Sequence, residues 1–68
     1  MRRILTRKQT MVLDLILRGR RNQQIARTLE ISEKGVKYHK TNIFKLYGVG
    51  DTEALIKKYV EIQARHLG

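Results

Sequence analysis

The stretch 25–47, IARTLEISEKGVKYHKTNIFKLY, constrains this chain most, because it has the pattern of two short helices joined by a tight turn. Ile25 and Leu29 lie one helical turn apart, and Ser32 is a residue type that caps helices. The chain contains no proline, and no segment of useful length alternates apolar and polar residues with a period of two. The sequence therefore predicts an all-α fold.

Capping residues mark where each helix should start. Thr6 is followed three residues later by Gln9, the spacing of a capping box. Asn22 is the expected cap of the second helix, Ser32 of the third and Asp51 of the fourth. Four helix starts are thus predicted along the chain.

Glycines mark where the helices should end. Gly19 follows the first apolar run, in a place where a left-handed cap suits glycine, and Gly48 is the expected end of the third helix. A turn at residues 30–31 separates the second and third helices. The predicted fold is a four-helix helix-turn-helix domain with helices at about 7–18, 22–29, 33–47 and 52–65.

Sixty-eight residues support one small core and therefore one domain. Residues 1–4 carry no periodic pattern and are interpreted as a tail or linker end that continues into another domain of the full protein; residues 5–68 form the domain. The chain has no cysteine, which excludes a disulfide and a thiolate metal site. No apolar run approaches the roughly 18 residues of a membrane span, and the start lacks a signal-peptide core, so we expect a cytoplasmic protein.

The charge is strongly unbalanced, with 15 Lys and Arg against 6 Asp and Glu and a formal net charge of +9. Such a balance indicates a polyanionic partner, and nucleic acid is a commoner one than a membrane. The alternative is a basic surface that serves only solubility.

The third helix has two distinct sides at about 100° per residue. The predicted buried side consists of Val36, His39, Ile43, Leu46 and Tyr47. The opposite side, called here the outer face, consists of Lys34, Lys37, Tyr38, Thr41 and Lys45. In a helix-turn-helix the second helix of the unit lies in the major groove, so the outer face is the predicted reading surface; a face that is merely solvated is the alternative.

The sequence has no pattern typical of a catalytic site. The chain has no phosphate loop, no paired nucleophile and base, and no cluster of carboxylates, so we expect no enzyme and no cofactor. His39 lies on the apolar side and is interpreted as a hydrogen-bonded core residue. With His66 as its only histidine companion, a zinc site has too few ligands.

From Leu5 to about Ile56 the chain resembles the LuxR/GerE-type helix-turn-helix domain of bacterial response regulators and quorum-sensing activators. The resemblance rests on Leu5, Thr6, Val12, Leu13, Gly19, Asn22, Ile25, Ala26, Leu29, Ile31, Ser32, Glu33, Val36, Lys37, His39, Asn42 and Ile43. The chain departs from it at Lys8 and Gln9, usually Arg and Glu, at Arg21, usually Ser, and at Gly35, usually Thr. Gly35 lacks a hydroxyl that often contacts the DNA backbone in relatives.

The resemblance implies sequence-specific binding of double-stranded DNA in transcription regulation. It assigns base contacts to Lys37, Tyr38 and Thr41. It assigns DNA backbone contacts to Arg20, Arg21, Asn22, Lys34, Lys40 and Lys45. It further implies an upstream regulatory domain, and it allows RNA polymerase as a partner.

The fourth helix has a wide apolar arc of about 160°, formed by Leu55, Ile56, Tyr59, Val60 and Ile62. The resemblance implies a homodimer formed through this helix, with Ile56 and Val60 at the interface. The alternative is that the whole arc is core, since a small domain needs every apolar group.

Two other functions stay open. Region four of bacterial sigma factors shares the helix-turn-helix and touches RNA polymerase, but it lacks a helix like residues 52–65. The second is a protein-binding adaptor that keeps the helix-turn-helix fold but does not read DNA, and Gly35 is the main argument for it.

Overall fold

Four helices make up the fold, and the computed structural model describes them over residues 5–67, with side chains to residue 65. They are α1 (Arg7–Leu17), α2 (Asn22–Leu29), α3 (Glu33–Tyr47) and α4 (Thr52–Leu67). The described residues contain no strand. The predicted all-α fold is confirmed, and each helix boundary agrees within two residues. Residues 1–4, the expected tail or linker end, lie outside the described residues.

Three helices begin at the predicted capping residues. Thr6 Oγ1 accepts the N–H of Gln9 at 3.1 Å, and Gln9 Oε1 accepts the N–H of Thr6 at 3.0 Å, which completes the capping box. Ser32 Oγ accepts the backbone N–H three residues on at 3.0 Å, and Asp51 Oδ1 does the same at 2.8 Å. These local bonds satisfy amides that have no partner inside their helices.

The start of α2 differs from the prediction, and the expectation that Asn22 caps it is wrong. Arg21 is the capping residue, and Asn22 is the first residue of the helix. Gln24 Oε1 accepts the N–H of Arg21 at 3.0 Å, but an arginine side chain has no acceptor to give in return. The reason is tertiary, since the Asn22 side-chain oxygen accepts a hydrogen bond from Lys40 instead. α2 therefore begins without a side-chain cap.

The first three helices end in the same way, with a residue in the left-handed region. Gly19 (φ 80°) does so as predicted, Gly48 (φ 68°) does so at the predicted end of α3, and Glu30 (φ 56°) does so without being a glycine. In each case the next amide reaches back to a carbonyl five residues earlier, a Schellman closure. These bonds join Arg20 to Leu15 at 3.0 Å, Ile31 to Ala26 at 2.9 Å and Val49 to Phe44 at 2.9 Å.

The core lies around α3, against which α1, α2 and α4 all pack. Its buried residues are Val12, Leu13, Ile16, Ile25, Ala26, Val36, Ile43 and Leu55. Val36 and Ile43 are fully buried as predicted, and Tyr47 packs against the core. Leu46 is only half-buried, and Phe44, absent from the predicted side, also packs against the core. Because α1 and α2 approach α3 from two directions, the buried side of α3 is wider than the side predicted from the sequence.

His39 is half-buried, and the interpretation that it is hydrogen-bonded is wrong for its Nδ1 atom. That nitrogen is buried and has no hydrogen-bond partner among the described residues. The imidazole instead packs edge-on against the Tyr38 ring, with centroids 5.6 Å apart and planes at 69°.

Within the described residues, no group of three or more His, Cys, Asp or Glu is placed to hold a metal ion. None of the helices described has the length and hydropathy needed to cross a bilayer.

Candidate nucleic-acid interface

The outer face of α3 is exposed along its whole length, as the helical period predicts. All five of its residues, Lys34, Lys37, Tyr38, Thr41 and Lys45, are solvent-exposed. Tyr38, the one aromatic residue of this face, is 66% exposed. The face combines hydrogen-bond donors, cations and one aromatic ring on a helix whose other side is locked into the core.

The positive charge of this face is not neutralised within the described part of the chain. One ion pair joins Asp14 of α1 to Arg18, the residue just after α1, at 3.1 Å, and the other described pairs lie within α4. Those of α4 are Glu53 with Lys57 at 3.6 Å and Glu61 with Arg65 at 3.5 Å. The lysines of the outer face belong to none of these pairs, so their charges are available to a polyanion.

The entrance of α3 carries Gly35 in its first turn, where the N–H of Gly35 donates to Ser32. Gly35 is not in the left-handed region, so its backbone does not require glycine. A Cβ built there would lie 3.4 Å from Ser32 Oγ and 3.7 Å from Ile31 Cδ1, which is ordinary contact distance. A Cβ therefore fits at this position, and neither the backbone nor the packing requires glycine there.

Arg20 and Arg21 form a second basic element, in the loop between α1 and α2. Both side chains are exposed, and neither forms an ion pair with another described residue. They adjoin the start of α2, where the first amides have no side-chain cap. Free amides and the helix dipole favour an anion at such an end. The arginines of the loop and the start of α2 therefore both attract an anion.

Lys40 stands apart from the other lysines predicted to contact the DNA backbone. Its Nζ donates a hydrogen bond to Asn22 Oδ1 at 2.9 Å, and both residues are half-buried. Burial lowers the pKa of the Lys40 ammonium from its ordinary value. The structure thus brings two predicted backbone contacts together across α2 and α3, a pairing that no local pattern indicates because 18 residues separate them.

The apolar arc of α4 splits into a buried part and an exposed part. Leu55 is fully buried and Tyr59 packs against the core, but Ile56 is 36% and Val60 59% exposed. The alternative that the whole arc is core is therefore wrong. Ile56 and Val60 lie one turn apart and form a small exposed apolar strip.

Comparison with known proteins shows the family to which the chain belongs. The family described as GerE, bacterial regulatory proteins of the luxR family, matches residues 3–58. The transcriptional regulatory protein DegU of Brevibacillus brevis is 44% identical over 55 residues, which are 79% of this chain and 23% of DegU.

The HTH-type transcriptional regulator AlkS of Ectopseudomonas oleovorans is 42% identical over 55 residues, again 79% of this chain but 6% of AlkS. The chain thus spans less than a quarter of the length of these relatives. No solved structure was matched significantly. With the family match extending over α1 to α3 and into α4, the chain belongs to the luxR family of bacterial regulatory proteins, whose helix-turn-helix domains bind DNA in transcription regulation.

Proposed function

We propose that this chain recognises specific sites on double-stranded DNA by placing α3 in the major groove. The observation that carries the proposal is the outer face of α3, which is exposed throughout and keeps its lysine charges unpaired among the described residues. The major groove admits a helix and presents a different donor and acceptor pattern for each base pair. A net charge of +9 supplies the attraction to the phosphates.

Base contacts are proposed for Lys37, Tyr38 and Thr41. Lys37 can donate to the O6 and N7 acceptors of guanine, and the Thr41 hydroxyl can donate to or accept from a base edge. Tyr38 adds the only aromatic surface of the outer face, suited to the methyl group of thymine. These residues would set the sequence preference.

DNA backbone contacts are proposed for the remaining basic and polar groups near this face. They are Arg20, Arg21, Asn22, Lys34 and Lys45, of which all but Asn22 are exposed. Lys40, the remaining contact predicted from the sequence, is half-buried and donates to Asn22, so it is not included among them. Contacts to phosphates fix the register of the protein on the duplex but carry no sequence information themselves.

A homodimer through α4 is proposed for binding to two-fold sites, with Ile56 and Val60 at the interface. The exposure of this strip supports the proposal, because apolar side chains that the core leaves uncovered gain by meeting another surface.

For the whole protein we propose a cytoplasmic response regulator, in which residues 5–68 are the output domain and residues 1–4 the end of a linker. The name of the relative DegU, a transcriptional regulatory protein, supports regulation of transcription. RNA polymerase is a further partner that this role allows.

The test is a selection of bound sequences from random duplex DNA, followed by affinity measurements between about 50 and 200 mM salt. We expect an enriched site and an affinity that falls with salt. Lys37→Ala should relax the sequence preference, whereas Lys45→Ala should weaken all sequences alike and flatten the salt dependence. A salt-independent affinity, or no binding at all, would overturn the proposal and favour the protein-binding adaptor.

A further inference from the structure

Lys40 and Asn22 form a cross-helix link that is unlike the other side-chain hydrogen bonds at the helix ends. The capping bonds join residues three apart in the chain. The bond from Lys40 Nζ to Asn22 Oδ1, 2.9 Å long, joins residues 18 apart and ties the middle of α3 to the start of α2. It therefore fixes two elements that both belong to the proposed DNA interface.

Lys40 is directed toward α2 and not toward the outer face. It lies one helical turn after the fully buried Val36 and is itself half-buried, whereas the lysines of the outer face are exposed. On α3 its position is about 120° from the centre of the outer face. Because its ammonium donates to Asn22 and the residue is half-buried, Lys40 is badly placed to reach into the groove that α3 would occupy.

The same bond explains why Asn22 does not cap α2. Asparagine is among the best capping residues, and its free side-chain oxygen would accept an amide of the first turn. Here that oxygen is engaged by Lys40, the capping position falls to Arg21, and α2 starts without a side-chain cap. The first amides of α2 and the NH₂ group of Asn22 are thereby left to an outside acceptor.

We propose that Lys40 is a positioning residue for DNA binding: by holding Asn22 it sets the phosphate-facing start of α2 relative to the outer face of α3, without touching the DNA itself. This inference rests on the proposed function and assigns Lys40 a different role from the exposed lysines. A lysine that only positions another group releases no counterion on binding, so it leaves the salt dependence of affinity unchanged.

The experiment measures the affinity of the full chain for its selected duplex and for random duplex, at several salt concentrations. The variants are Lys40→Met, which keeps the stem and removes the donor, Asn22→Ala, the double variant, and Lys40→Arg, which keeps a donor. Lys45→Met is the matched control, because Lys45 is an exposed lysine of the same helix. Thermal unfolding of each variant, with a midpoint shift of no more than about 4 °C, establishes that the fold is kept.

We expect Lys40→Met and Asn22→Ala each to weaken binding to both duplexes about tenfold, the loss that accompanies one hydrogen bond to a charged group. The double variant should be no weaker than either single variant, and Lys40→Arg should restore most of the affinity. The slope of log affinity against log salt should stay unchanged in these variants and fall by about 0.9 in Lys45→Met.

Three results would overturn the proposal: an unchanged affinity of Lys40→Met, a slope that falls in Lys40→Met as it does in Lys45→Met, or losses that multiply in the double variant. The second of these would make Lys40 a direct phosphate contact. If Lys40→Met does not fold, Asn22→Ala and Lys40→Arg decide. Asn22→Ala must then lose affinity with an unchanged slope of log affinity against log salt, whereas Lys40→Arg must keep most of its affinity. Failure of the native chain to bind any duplex would instead overturn the proposed function, and this inference with it.

Discussion

Ser32 Oγ accepts the N–H of Gly35 at 3.0 Å, and the Cβ that Gly35 lacks would lie 3.4 Å from the same oxygen. The cap of α3 and a side chain at position 35 are therefore compatible in space. Glycine in a helix is less favourable than alanine by about 0.5 to 1 kcal/mol, because its backbone loses more conformational freedom on folding. α3 thus starts with a stabilising cap and a destabilising residue in the same turn.

Gly35→Ala should raise the free energy of unfolding by about 0.5 to 1 kcal/mol, because the methyl group makes only ordinary van der Waals contacts in the folded state and restricts the unfolded chain. Urea denaturation followed by circular dichroism measures the change. Ser32→Ala is the control in the opposite direction, with an expected loss of about 1 kcal/mol from removal of the cap. A destabilised Gly35→Ala would mean that the methyl group displaces Ser32 from its capping position.

Glu30→Gly should also stabilise the fold, by about 0.5 to 1 kcal/mol. Glu30 ends α2 with φ 56° and ψ 45°, and this left-handed conformation is unfavourable for a residue with a Cβ. Glu30→Gln keeps the Cβ and removes only the charge, so its free energy of unfolding should stay close to that of the native chain. Equal effects of the two substitutions in urea denaturation would assign the change to charge and not to the backbone.

The ends of the helices could be predicted from the sequence because their causes are local. Thr6 and Gln9 cap α1 through hydrogen bonds between residues three apart in the chain. Gly48 ends α3 because it adopts a left-handed backbone conformation. The start of α2 could not be predicted in this way. Its outcome depends on Lys40, 18 residues away, which competes for the Asn22 oxygen. Local rules fail where a tertiary bond takes the capping group.

The candidate site was predictable to a similar degree. Exposure of Lys37, Tyr38 and the rest of the outer face follows from the helical period alone. The half-burial of Lys40 and the packing of Phe44 do not, because they depend on how closely α1 and α2 approach α3. Which side of a helix faces outward is a property of the sequence, whereas the width of its buried side is a property of the assembled fold.

Replacing one thymine of the selected site by uracil should weaken binding about fourfold, the contribution of one buried methyl group. Tyr38 is braced edge-on by His39 and is the one aromatic group of the outer face, while the thymine methyl is the apolar group of the major groove. Uracil scanning of each thymine by fluorescence anisotropy measures the effect.

Two variants separate the ring of Tyr38 from its hydroxyl. Tyr38→Phe should keep the difference between thymine and uracil, whereas Tyr38→Ala should bind both duplexes equally. A Tyr38→Phe variant that loses as much affinity as Tyr38→Ala on the thymine duplex would show that the hydroxyl, and not the ring, makes the contact.

Val60→Glu should weaken binding to a two-fold site about a hundredfold and leave binding to a single half-site nearly unchanged. Val60 is 59% exposed beside Ile56, so a carboxylate there leaves the core intact but would bring two like charges together if the strips of two copies meet. Linked binding of two copies increases affinity for the two-fold site roughly 100-fold or more through effective concentration, and the substitution removes that gain.

Met11→Glu, at an exposed apolar position of α1, is the matched control and should bind both sites like the native chain. Sedimentation of the native chain that shows a monomer both alone and on the two-fold site would contradict the dimer itself.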